Sequence, residues 1–122
     1  MSEAKRRRRV LIVEDKPALR LSYERAFRPR YDLVFASTGA EALEQLDQYQ
    51  PDVAVLDMRL PDTDGVELLR RIRVTHPDLP VIITTAYMSI EPQLKVLDLP
   101  HSGYIVKPFR LDELGARIDA VV

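Results

Sequence analysis

Asp57 closes the apolar run Asp52-Val-Ala-Val-Leu-Asp57, and Glu14-Asp15 closes the run Val10-Leu-Ile-Val-Glu-Asp15. Both runs have the length and continuous apolarity of short strands buried on two faces. If the strands are neighbours in a parallel sheet, three carboxylates converge at one edge. Two unit charges about 4 Å apart repel by roughly 4 kcal/mol at an effective dielectric near 20. Such a cluster calls for a counter-charge, and a divalent cation offsets the repulsion.

The rest of the chain limits what that chemistry serves. Its 122 residues suit one domain. With 46% apolar and 30% charged residues it can build a core and stay soluble. A net charge of −1 offers no global field for nucleic acid or acidic membranes. The absence of cysteine excludes disulfides, thiolate catalysis and thiolate metal sites. No apolar stretch approaches the roughly 20 residues of a membrane span. The start, Met-Ser-Glu-Ala-Lys-Arg-Arg-Arg-Arg, lacks an apolar signal core. A cytoplasmic protein is expected, without membrane association. Lys5–Arg9 carries no interleaved aromatics, so residues 1–8 read as a basic, solvated lead-in to a domain over 9–122.

Apolar runs and helical patterns alternate five times. Strands are predicted at Val10–Val13, Tyr31–Ala36, Val53–Leu56, Val81–Thr85 and Tyr104–Val106. Between them, Pro17 opens a helix with Leu19, Tyr23, Ala26 and Phe27 on one face, and Pro29 stops it. A second helix presents Ala42, Leu43, Leu46 and Tyr49. Asp64 is the predicted N-cap of a third, with Glu67 completing a capping-box-like pair and Gly65, Leu68, Leu69 and Ile72 as its buried stripe. Leu111, Leu114, Ile118, Val121 and Val122 line the last helix. Repeated β–α units with continuously apolar strands imply an α/β, doubly wound parallel sheet with helices on both faces.

The chain resembles the receiver domain of two-component response regulators. Five motifs carry the resemblance in order, from Val10 to Val122: Glu14-Asp15; Asp57 with Leu60-Pro61 and Gly65; Thr85-Ala86; and Tyr104-Ile-Val-Lys107-Pro108-Phe109, which holds two of them. The resemblance implies a flavodoxin-like, five-stranded sheet of order 2-1-3-4-5. The first and third strands are then adjacent at the topological switch point, beyond whose carboxyl ends such sheets bind ligands.

The same resemblance implies the roles. Asp57 is the phosphoacceptor, taking a phosphoryl group from a phosphohistidine. Mg²⁺, suited to oxygen ligands and phosphate, is held by Asp15, Asp57 and the backbone carbonyl of Arg59, and by Glu14 through water. Lys107 and the Thr85 hydroxyl meet the phosphoryl oxygens. Thr85 then moves toward the phosphate, and Tyr104 turns inward behind it. The face made by the fourth helix, fifth strand and last helix changes accordingly. Arg59 and Tyr87, each two residues past a site residue, are expected to flank the phosphoryl group and set its lifetime. The implied partners are a sensor histidine kinase or phosphotransfer protein, a downstream effector and a second copy in a homodimer, with no direct nucleic-acid binding. The domain is expected to be a switch that catalyses its own phosphotransfer and autodephosphorylation, either standing alone or as part of a longer regulator.

Asp62 and Asp64 read as loop and cap residues, and His76 and His101 as isolated side chains outside the chemistry. Ser89 can cap the fourth helix and Pro92 is tolerated in its first turn. Pro100 disfavours helix at Leu99, so that helix is expected to be short, about two turns. Arg110 makes a poor N-cap for the last helix, and Gly115 weakens it by up to about 1 kcal/mol. A competing class, a pseudo-receiver that binds partners without phosphate chemistry, is disfavoured by the complete set Glu14, Asp15, Asp57, Thr85 and Lys107. An aspartyl phosphohydrolase of the haloacid-dehalogenase type needs an Asp where Arg59 stands.

Overall fold

The computed structural model describes residues 7–86 and 103–121. In chain order the elements are β1 (Arg9–Val13), α1 (Pro17–Phe27), β2 (Asp32–Ala36), α2 (Gly39–Tyr49), β3 (Val53–Asp57), α3 (Gly65–Thr75), β4 (Val81–Thr85), β5 (Gly103–Val106) and α4 (Leu111–Val121). The strands form one parallel sheet in the order β2-β1-β3-β4-β5. β1 is therefore flanked by β2 and β3, as the expected topology requires. Residues 1–6, Tyr87 and the expected fourth helix from Ser89 to Pro100 lie outside the described residues.

Alternation along each strand divides the core in two. On one face Leu11, Val13, Ala54, Leu56, Val81 and Ile83 pack against α2 and α3 through Ala42, Leu46, Leu68, Leu69 and Ile72. On the other, Val10, Ile12, Val53, Val55, Ile82 and Ile105 pack against α1 and α4 through Tyr23, Phe27, Leu114 and Ile118. Continuous apolar runs are thus explained: consecutive residues serve opposite cores.

Local chemistry sets the ends. Asp64 caps α3, accepting from Glu67 N at 2.8 Å. Glu67 itself pairs with Arg70 and Arg71 at 3.8 and 3.3 Å, so its side chain joins an exposed ion-pair cluster. β2 begins at Asp32, one residue later than expected, because Tyr31 N donates to Phe27 O at 2.8 Å and belongs to the turn that ends α1. β3 runs one residue further than expected, pairing Asp57 with Thr84, and β5 starts one residue earlier, at Gly103. α4 begins better than Arg110 alone suggests. Glu113 Oε1 accepts from Arg110 N at 3.2 Å, which supplies the reciprocal half of a capping box. Gly115 also has a packing role: a Cβ there would lie 3.0 Å from Arg30 Nη1 and 3.3 Å from Phe27 Cε1. α4 therefore approaches the end of α1 closely. Tyr31 and Arg30 both donate to Asp119, fastening the two helices together.

Candidate functional site

The site lies beyond the carboxyl ends of β1 and β3, with contributions from β4 and β5. Glu14 directly follows β1, and its N–H donates to Ala36 O at 2.9 Å, which continues the ladder past the strand. Asp57 is the last residue of β3. Oxygens of Glu14, Asp15 and Asp57 all lie within 4.8 Å of one another. Glu14 is 1% and Asp57 3% exposed. Burial, and then the Asp57 charge, push the Glu14 carboxyl above its ordinary range.

Lys107, placed by the end of β5, answers this charge. Its N–H donates to Thr85 O at 2.6 Å, tying it to the end of β4. Its ammonium stands 3.3 Å from Asp57 Oδ1 and 3.5 Å from Glu14 Oε1. The peptide bond from Lys107 to Pro108 is cis. Glu14 Oε2 accepts from Lys16 N at 3.1 Å.

Asp15 Oδ1 and Asp57 Oδ2 are buried with no hydrogen-bond partner. Buried carboxylate oxygens left this way are unfavourable unless something else coordinates them. Together with a purely oxygen donor set, they fit a hard divalent cation such as Mg²⁺.

Arg59 is exposed, and its N–H reaches Asp57 Oδ1 at 3.5 Å. A single antiparallel bridge from Arg59 to Asp64 folds the loop after β3 back on itself. At its base Gly65 is obligatory in space, because a Cβ would come within 2.7 Å of Met58 Cα and 2.5 Å of Met58 Cε. Asp62 pins the same loop from outside: its carboxylate oxygens accept from Gly39 N at 2.8 Å and Ala40 N at 3.1 Å, at the start of α2. The Gly39 hydrogen bond leads in holding this carboxyl below its usual range. Asp62 is thus a cap borrowed by a helix 23 positions away. Its sequence neighbourhood announces only a turn, so nothing local could have revealed this partner.

Thr85 is buried at the end of β4. Thr84, not Thr85, is in register with Asp57. Alternation sends Thr84 to the face of Ile82 and Thr85 to that of Ile83. Tyr104, paired with Ile83, packs partly buried on that second face. Thr85 and Tyr104 therefore share a face and stand diagonal to each other across β4 and β5. Tyr23, read from sequence as ordinary core, has its hydroxyl buried without a hydrogen-bond partner. His76 is remote, hydrogen-bonded to its neighbour Thr75 at 2.8 Å, and His101 lies outside the described residues. Among the described residues no helix is long and apolar enough to cross a membrane.

Comparison with known proteins agrees with this geometry. Residues 10–119 match the family model described as the response regulator receiver domain. Response regulator MprA of Mycobacterium leprae is 40% identical over 115 residues, covering 93% of this chain and 50% of that protein. The chain thus spans about half the length of the mycobacterial relatives it matches. A CheY-like receiver domain protein from Methanospirillum hungatei superimposes with a TM-score of 0.86 at 29% identity, covering 94% of this chain and 93% of that one. Response regulator protein TrrA from Thermotoga maritima, solved in complex with Mg²⁺-BeF, gives 0.82 at 30% identity, covering 94% and 99%.

Proposed function

This chain belongs to the response regulator receiver domain family, and on that premise we propose that it accepts a phosphoryl group on Asp57. The observation that carries the proposal is the buried meeting of Glu14, Asp15 and Asp57 within 4.8 Å, with the Lys107 ammonium 3.3 Å from Asp57. An Asp57 oxygen attacks the phosphorus of a phosphohistidine on a sensor kinase or phosphotransfer protein. A P–O bond forms, the P–N bond breaks, and its electron pair leaves with the imidazole. Asp15, Asp57 and the Arg59 carbonyl would hold Mg²⁺ directly and Glu14 through water. The ion, when bound, offsets the negative charge gathered on Asp57 and the phosphoryl oxygens. Lys107 shifts from the carboxylates toward the incoming phosphoryl group as a point charge. The domain in this proposal is a switch that catalyses its own phosphorylation and dephosphorylation, with Arg59 and Tyr87 modulating the lifetime.

Thr85 follows the phosphoryl group, and Tyr104 moves on the face the two share. The receiving surface is then β5 with α4, read by an effector or a second copy. Phosphate selects between two packings only through contacts that differ between them. The test is treatment with a small-molecule phosphodonor and Mg²⁺, followed by intact mass. An adduct of about 80 Da is expected for the wild type and not for Asp57→Asn; an equal adduct on both proteins excludes Asp57 as acceptor.

A further inference from the structure

Three buried side-chain atoms among the described residues have no hydrogen-bond partner: Asp15 Oδ1, Asp57 Oδ2 and the Tyr23 hydroxyl. The first two belong to the acidic centre. The third has no role in the chemistry outlined above. Phenylalanine would fill the same space without an unpaired hydroxyl, so the tyrosine is unfavourable as packing alone.

Its position connects it to the site. Tyr23 is 1% exposed and packs with Val10, Ile12, Val53, Val55 and Ile105. Strand alternation, carried past the strand ends, places Glu14, Asp57 and Lys107 over this same face. Burial first, and then the Glu14 and Asp57 charges, hold the Tyr23 proton more tightly than in an ordinary phenol. Tyr23 also lines, with Lys107, Ala86 and Phe109, a largely apolar cavity of about 580 Å³ beside the centre. The hydroxyl is therefore an unpaired donor, buried on the face over which Glu14 stands.

Glu14 is the group that would need such a donor. Its Oε1 takes the Lys107 ammonium at 3.5 Å. When Lys107 turns to a phosphoryl group, that buried oxygen loses its partner. We infer that Tyr23 is a positioning residue whose hydroxyl takes over Glu14 Oε1 once Lys107 has left it. The inference rests on the phosphoacceptor proposal and adds a residue to it. Tyr23 touches no reacting atom; it acts by keeping Glu14 oriented in the loaded state.

The test is thermal unfolding of wild type and Tyr23→Phe in three conditions: without metal, with Mg²⁺, and with Mg²⁺ plus beryllium fluoride as the phosphoryl mimic. In Tyr23→Phe the metal-free Tm is expected to stay or rise, because an unpaired hydroxyl is gone. The further rise produced by beryllium fluoride is expected to shrink, corresponding to at least a fivefold weaker affinity. In a Glu14→Ala background the Tyr23→Phe substitution is expected to have no effect on that rise. Equal rises in wild type and Tyr23→Phe overturn the inference, as does an undiminished Tyr23→Phe effect in the Glu14→Ala background. Absence of any rise in the wild type overturns the phosphoacceptor proposal itself, and this inference with it.

Discussion

Lys107→Met keeps the aliphatic stem and removes the ammonium, and two consequences of opposite sign follow. Nζ stands 3.3 Å from Asp57 Oδ1 and 3.5 Å from Glu14 Oε1. At an effective dielectric near 20, a unit charge at these distances interacts with each carboxylate by about 5 kcal/mol. Desolvation and solvent screening of the partly buried lysine offset much of this. Breaking a buried pair by removing one partner typically costs about 3–5 kcal/mol, and about 3 kcal/mol is expected here in metal-free urea unfolding. Mg²⁺ affinity should move the other way, since the ion no longer competes with a resident cation. Removing a resident positive charge from beside a divalent site is expected to tighten Mg²⁺ binding by about tenfold, roughly 1.4 kcal/mol. Phosphoryl uptake should nonetheless fall, by about a hundredfold, as for loss of one preorganised charge-stabilising donor. Isothermal titration with Mg²⁺ gives the Kd, and tyrosine emission can report unfolding because the chain has 5 Tyr and no Trp. A mutant that binds Mg²⁺ no more tightly than wild type would refute the picture of Lys107 as the resident counter-charge.

Two further outcomes follow from the loop after β3. Gly65→Ala places a methyl against Met58 backbone and side chain, so a loss of about 2–3 kcal/mol is expected from overpacking; a urea midpoint within error of wild type would show that the loop yields at no cost. Asp62→Ala should be less stable than wild type at neutral pH. Because the folded carboxyl is held below its usual range, its contribution is present above the unfolded value of about 3.9 and is lost as pH falls through the lower folded value. The stability gap between the two proteins is therefore expected to close in acid, and a gap that stays constant down to about pH 2 would mean the charge on Asp62 does not act through these hydrogen bonds.

What could be read from the chain was whatever depends on neighbours in sequence. Val81–Thr85 is continuously apolar up to its threonines and forms a strand with those bounds. Pro17 and Asp64 mark the helix starts at α1 and α3 because a fixed φ and a side-chain acceptor act within one turn. Glu14, Asp15 and Asp57, far apart in sequence, were legible as a group through the family resemblance, which supplied the strand order that makes the first and third strands neighbours at a switch point. Contacts across long separations left no such mark. Gly115 looks like a weak helix residue until Phe27 and Arg30 are placed against it. Asp62 looks like a turn residue until the start of α2 arrives beside it, and Tyr23 looks like core until its hydroxyl is found buried without a hydrogen-bond partner. Tyr31 has the composition of a strand residue, but its amide is taken by Phe27 and the strand begins one position later.

β5 is a four-residue edge of the sheet, paired among the described residues only with β4, and three of its four residues are only partly buried. The acids stand at the ends of β1 and β3, each of which is held between two neighbouring strands. The positive and negative halves of the centre therefore sit on parts of the fold with unequal resistance to local opening. Fraying of β5 would withdraw Lys107 while leaving the carboxylates in place, converting a balanced centre into an anionic one without unfolding the domain. Amide exchange should thus be faster at Ile105 and Val106 than at Ile12 or Val55. A protein that clamps the β5 edge would also govern how often Asp57 meets Lys107.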